Sequence, residues 1–197
     1  MPVRAVVLPA APLLVTGAAG DARPLAATRA AVHRALRASH DAGARRWGVL
    51  APATGASARA RRPSLAAAGI ADRWVPALAG LHARDAALAD LPASVALLVL
   101  VEAVGPGVAD SAPVVELADD DGAAAQRAVA DLGTCDVLVV AGGVPGDAAV
   151  GPTALTRAVH DVLDRLAGLG GWRSEVRTVA EDGPHLAGGY DVVTWTS

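Results

Sequence analysis

Two hydrophobic patterns alternate along the 197 residues of this chain. Short apolar runs, such as residues 5–8 and 47–51, are typical of strands buried on both faces of a parallel sheet. Between them lie stretches with apolar side chains at helical spacing, which predict amphipathic helices. The predicted strands are residues 5–8, 47–51, 74–75, 113–117, 136–140, 173–180 and 190–196, and the predicted helices are residues 24–39, 64–69, 123–132 and 152–169.

One apolar stretch, residues 91–104, is compatible with either structure. A buried strand and a buried helix look alike here, but Pro92 near its start and Gly105 just after it favour a helix. With either assignment, strands alternate with helices, which predicts one α/β domain over residues 1–197. We expect a central, mostly parallel sheet flanked by helices, in three layers.

Ligands bind at the carboxyl ends of the strands in an open α/β sheet. The loop after the first predicted strand carries Ala10 between two prolines, and the loop after the second carries Thr54, so we expect these loops to be neighbours. A third loop follows with Gly142 and Asp147, and its glycines allow a ligand to approach the backbone closely. These four residues form the predicted ligand pocket, with capping of its own loop as the competing role for the Thr54 hydroxyl.

Composition narrows the function. The chain has no lysine, which excludes Schiff-base chemistry and a P-loop lysine. A net charge of −3 with dispersed arginines argues against a nucleic-acid partner. The longest apolar run, residues 95–101, is too short to cross a bilayer, and the first residues lack a signal-peptide pattern. We therefore expect a cytoplasmic protein without a membrane partner.

Two other candidate sites have structural interpretations. Cys135 is the single cysteine, so the chain has neither a disulfide framework nor a cysteine metal cluster, and its place before an apolar strand predicts a small buried side chain. The acids Asp119, Asp120 and Asp121 are consecutive, whereas a calcium loop alternates its ligands. They are better explained as negative charge at the start of the next helix.

Four motifs follow one another along nearly the whole chain. They are Pro-Ala-Ala-Pro-Leu-Leu at residues 9–14, Ser-Leu-Ala-Ala-Ala-Gly-Ile at residues 64–70, Leu-Pro-Ala-Ser-Val at residues 91–95 and Gly-Gly-Tyr-Asp-Val-Val-Thr-Trp at residues 188–195. Together they resemble the subunit-B-like domain of class III extradiol ring-cleavage dioxygenases, in particular its short actinobacterial relatives. The resemblance implies an α/β fold with, in active members, a mononuclear non-haem Fe(II) site at the strand ends.

The resemblance also shows where this chain departs from the family. Such an iron site needs two histidines and a carboxylate on one face of the metal to open a catechol ring with dioxygen. Ala10 stands where the family has its first histidine ligand, and a methyl group cannot bind iron. Residues 52–57 contain no histidine, and residues 142–144 replace a more polar run. The histidines that remain are His33, His40, His82, His160 and His185.

Three hypotheses about function follow from these residues. In the first, the domain has lost its iron and its catalysis, holds no cofactor, and binds a small molecule or a protein. In the second, it is an active Fe(II) extradiol dioxygenase with a site rebuilt from Asp147, Glu102 and His185. In the third, it is a structural subunit of a homo-oligomer.

Overall fold

Six strands make the central sheet in the computed structural model, which describes residues 1–53, 61–81, 87–119, 122–142, 155–182 and 189–197. The strands are β1 (Val3–Pro9), β2 (Trp47–Pro52), β5 (Val114–Leu117), β6 (Val137–Gly142), β7 (Arg173–Ala180) and β8 (Gly189–Thr196), with β3 (Arg61–Arg62) and β4 (Ala87–Leu88) pairing separately. The helices are α1 (Ala26–Asp41), α2 (Leu91–Val104), α3 (Pro106–Ser111), α4 (Gly122–Leu132) and α5 (Arg157–Gly170).

The order of the sheet is β5-β2-β6-β1-β8-β7. Its first four strands are mutually parallel, β8 is antiparallel to β1, and β7 is antiparallel to β8. Because two reversals restore the direction, β7 ends at the same edge of the sheet as β1, β2, β5 and β6. We call this edge the carboxyl edge. The predicted α/β fold with a mostly parallel sheet is confirmed.

Alternation along the strands divides the core into two halves. In β1, Val6 and Leu8 point to the face covered by α1 and α2, whereas Ala5 and Val7 point to the face covered by α4 and α5. Each of these four side chains is at most 2% exposed. The helix layers on both faces explain why the strands read as continuous apolar runs, and they confirm the predicted three layers.

The stretch that was compatible with two structures is the helix α2. It packs against α1, β2 and β6, and eleven of its residues are buried, including Ser94. Enclosure on several sides removes the need for a polar face, so its sequence lacks the amphipathic signal that identified the other helices. No helix in the part of the chain that the structure describes has the length and apolarity to span a membrane.

Three local expectations were wrong. Helix α1 begins at Ala26 and not near Pro24, because Leu25 takes a left-handed conformation (φ 54°) that places its side chain in the core, where it is 1% exposed. The predicted strand at residues 74–75 is instead the end of a 3₁₀ turn, Asp72–Trp74. The carboxyl ends of β1 and β2 are not direct neighbours, because β6 lies between those strands.

A carboxylate links β2 and β6 at the end of the sheet where these two strands begin, opposite the carboxyl edge. Asp136 Oδ2 accepts hydrogen bonds from the backbone N–H groups of Arg45 and Arg46, both at 2.9 Å, and Asp136 Oδ1 lies 3.1 Å from the Arg46 guanidinium. The Asp136 N–H in turn donates to the Arg46 carbonyl at 2.6 Å. The two backbone donors, followed by the arginine charge, lower the pKa of Asp136 from 3.8 to about 2.

This interaction predicts a loss of stability in acid. A carboxylate with a lowered pKa in the folded state stabilises the fold fully above pH 4, and this contribution is lost as the pH falls from about 4 to 2. Asp136→Asn should lower the free energy of unfolding by about 1 kcal/mol at pH 6, after allowance for the solvent exposure of the side chain, and by about half as much at pH 3. Urea unfolding at both pH values measures the difference. Asp161→Asn, at an exposed position on α5, is the control.

Candidate functional site

The carboxyl edge brings together two of the four predicted pocket residues. Ala10 directly follows β1, Gly142 ends β6, and the Ala10 N–H donates to the Gly142 carbonyl at 2.8 Å. This bond extends the β1–β6 ladder by one step. Thr54 and Asp147 lie outside the described residues, as do His82 and His185.

The described floor of this edge is closed by apolar packing. Ala10 is 3% exposed, and its methyl group belongs to the core cluster that also contains Leu8, Leu14 and Val15. Gly142 is also buried. The position that the resemblance gives to a metal-binding imidazole therefore holds a packed methyl group, and the backbone beside it is committed to the sheet.

Three carboxylates lie at helix N-termini along this edge, and two of them, Glu116 and Glu181, were missed by sequence reasoning. Glu116 Oε1 accepts from the Asp90 N–H at 2.5 Å, just before α2 begins. Glu181 Oε1 accepts from the Thr28 N–H in the first turn of α1 at 2.6 Å, and Asp119 Oδ1 accepts from the Ala158 N–H in the first turn of α5 at 3.1 Å. The residues that precede these helices form no capping side-chain hydrogen bond of their own.

These carboxylates occupy donors that could otherwise hold an anionic ligand. The first turn of a helix has free N–H groups and a partial positive charge, which together favour phosphate or carboxylate. At α1, α2 and α5 the chain supplies its own carboxylate. One of them, Glu116, had a visible signal, because it is a charged residue within the otherwise apolar strand β5 and is only 1% exposed.

The role predicted for the consecutive acids is wrong in part. Asp119 lies before α4, as expected, but the hydrogen bond of its carboxylate goes to α5, which begins 38 positions later along the chain (157 − 119). The physical principle, negative charge at a helix N-terminus, is the one predicted, and only the helix differs. Asp120 and Asp121 lie outside the described residues.

Glu102, which the second hypothesis places in a rebuilt site with Asp147 and His185, lies on α2 and has other partners, Thr16 and His33. Its Oε1 accepts from the Thr16 N–H at 2.7 Å, and its Oε2 faces His33 Nε2 of α1 at 3.4 Å, without the alignment of a direct hydrogen bond. Both side chains are mostly buried, with exposures of 11% and 14%. Glu102 is eleven positions past the start of α2, roughly 16 Å along the helix axis from the carboxyl edge.

The other described candidates do not assemble into a metal centre. His160 is exposed on α5 and lies 3.1 Å from Asp164, whereas His33 and His40 belong to α1 on the opposite face of the sheet. Cys135 is half-buried, and burial raises the pKa of its thiol, an effect that the nearby Arg46 only partly opposes. Among the described residues, no group of three or more histidine, cysteine or acidic side chains could hold a metal ion.

Comparisons with protein-family models, with curated proteins and with solved structures found no match for this chain.

Introducing a histidine tests whether the floor at Ala10 is closed. Ala10→His forces an imidazole into a packed apolar cluster and should lower the free energy of unfolding by about 2 kcal/mol or more. Ala22→His, at an exposed position, should change it by less than about 0.5 kcal/mol. Unfolding is measured by urea titration with and without Fe(II) or Zn(II). A variant as stable as the parent, or one strongly stabilised by either metal, would contradict the closed floor.

The hydrogen bond from the Thr28 N–H of α1 to Glu181 gives another prediction. Glu181→Ala removes the acceptor of the Thr28 N–H and should destabilise the fold by about 1 kcal/mol. Asp182→Ala, the exposed neighbour, should leave stability within about 0.5 kcal/mol of the parent. Equal effects of the two substitutions in thermal unfolding would show that the cap contributes nothing.

Proposed function

We propose that this chain is an extradiol-dioxygenase-like domain that does not carry out iron chemistry and acts by binding. The observation that supports this most directly is the position of Ala10, whose methyl group is packed into the core beside Gly142. The methyl group of an alanine cannot supply a ligand atom to a metal. The order of the four motifs is the reason to expect a dioxygenase-like domain. Ala10, at the position of the first histidine ligand in that family, is the reason to expect no iron chemistry.

Between the two kinds of ligand, the described part of the carboxyl edge favours a protein over a small molecule. Small-molecule sites are concave and combine apolar walls with a few converging polar groups. At the described part of the carboxyl edge, the floor is filled and three carboxylates are bound to helix N-termini. A protein partner needs no deep cavity and can use surface strands or helices instead.

The alternative of an active enzyme with a rebuilt site is disfavoured by Glu102. Its carboxylate accepts from Thr16, faces His33, and is far along α2 from the carboxyl edge. Asp147 and His185 would have to form the site without it, and two protein ligands are fewer than the three that the iron chemistry of this family needs.

Iron binding and catechol turnover test the proposal together. Protein incubated with Fe(II) under anaerobic conditions and then desalted should retain no stoichiometric iron. After catechol and air are added, no ring-opened product should appear in the absorbance spectrum. Asp147→Ala, treated in the same way, should behave like the parent. Stoichiometric iron that survives chelation, or turnover that Asp147→Ala abolishes, would overturn the proposal and establish the rebuilt enzyme.

A further inference from the structure

β7, the last strand of the sheet, has an outer edge with which no described strand pairs. It pairs with β8 on one side only, and seven of its eight residues are exposed. The pairing with β8 is continuous from Arg173 to Ala180, so no bulge twists the edge away. The strand contains no proline, and of the devices that protect sheet edges it carries only charged side chains, Arg173, Glu175 and Arg177. Monomeric proteins usually protect a sheet edge with such devices, because an open edge pairs with other strands.

We propose that β7 pairs with β7 of a second copy of this chain, antiparallel and across a two-fold axis at Val176. The two six-stranded sheets then join into one continuous sheet of twelve strands. Such an interface is isologous, since the same strand contributes both halves and the assembly closes as a dimer. The proposal names a partner for the binding role above, but it uses no residue of the carboxyl edge.

Charge favours this register over its two neighbours. Side chains on one face must stay together, so β7 can shift against its copy only in steps that preserve the face. With Val176 on the axis, Glu175 faces Arg177 of the second copy, and symmetry repeats this pair. The neighbouring registers place either Glu175 or Arg177 opposite its own copy, which brings like charges together.

The other face of the strand agrees with the same register. Val176 is 60% exposed, a large fraction for a valine in a strand, and on the axis it would pack against Val176 of the second copy. Ser174 would lie opposite Thr178 of the second copy, whose hydroxyl donates to Asp191 of its own chain and can still accept from Ser174. Val193 of β8 pairs with Val176 across the two strands of the same subunit and continues the apolar surface.

Within one copy, Glu175 and Arg177 are available for these contacts. Both are exposed, and neither forms a side-chain hydrogen bond or an ion pair in the described structure. They lie on the same face of β7, two positions apart. Pairing across the axis would therefore add two ion pairs without breaking any interaction within the subunit.

A charge swap tests the register. Sedimentation of the full chain over a dilution series should show a monomer–dimer equilibrium. Glu175→Arg and Arg177→Glu should each weaken the dimer by about tenfold, because each replaces two attractive pairs with two repulsive ones. The double variant restores opposite charges in the same register, so its dissociation constant should return to within about threefold of the parent. A monomer at every concentration, or single variants that dimerise like the parent, would overturn the proposal.

Cross-linking gives a test that does not depend on charge. In a Cys135→Ser background, Val176→Cys places two thiols opposite each other on the axis and should yield a disulfide-linked dimer under mild oxidation. Ser174→Cys is the matched control on the same face. In the proposed register its two thiols are four positions apart along the strands, about 13 Å, which is too far for a disulfide.

The outcomes of these tests differ from those of the iron experiment. Linkage by Ser174→Cys, or by neither variant, would overturn this register even if the protein binds no iron. A dimer with the predicted cross-link in a protein that retains iron would leave this inference intact and refute the proposed function. Circular dichroism of each variant shows that its subunit is folded.

Discussion

Carboxylates at the carboxyl edge, bound to the N-termini of helices from other parts of the chain, are the interaction on which this architecture depends. Helices α1, α2 and α5 all begin at this edge, and each presents unsatisfied N–H groups there. Glu181, Glu116 and Asp119 accept from these groups; Glu116 lies within β5, and Glu181 and Asp119 come just after β7 and β5. The helices on both faces are thereby tied to the strand ends that they cover.

The same interactions restrict what the edge can bind. In α/β proteins, free helix N-termini at strand ends attract anionic ligands. Here the chain itself provides the anions at three helices, and Ala10 fills the described floor with a methyl group. Ala10 therefore leaves no ligand atom at the position where the resemblance would place a metal-binding histidine. This arrangement is the basis of the binding role proposed above.

The two ends of the sheet order differ in how well they are protected. The middle strands β6 and β1 are covered on both faces. β7 is covered less, because α1 contacts it and Val179 is partly buried but its other seven residues are exposed. Because no described strand pairs with the outer side of β7, its backbone groups there are available for another strand. The described part of the carboxyl edge is thus closed, whereas the outer side of β7 is unpaired among the described residues and is the surface of the proposed dimer.

The sequence alone determined the elements whose signals are local. The apolar runs of β1, β2, β5 and β6, the buried face of α1 at Thr28, Val32 and Leu36, and the closing strands β7 and β8 all follow from the spacing of side chains. These signals depend on periodicity within a few residues, which packing on either face preserves.

Only the tertiary structure decided which elements meet. Placement of β6 between β2 and β1, and the hydrogen bond from Thr28 to Glu181, join residues far apart along the chain, in the second case by 153 positions. The start of α1 depends on the burial of Leu25, which overrides the proline signal before it. No sequence pattern links a carboxylate to the helix that it caps. The two meet because they are close in the folded chain and because a buried N–H group needs an acceptor.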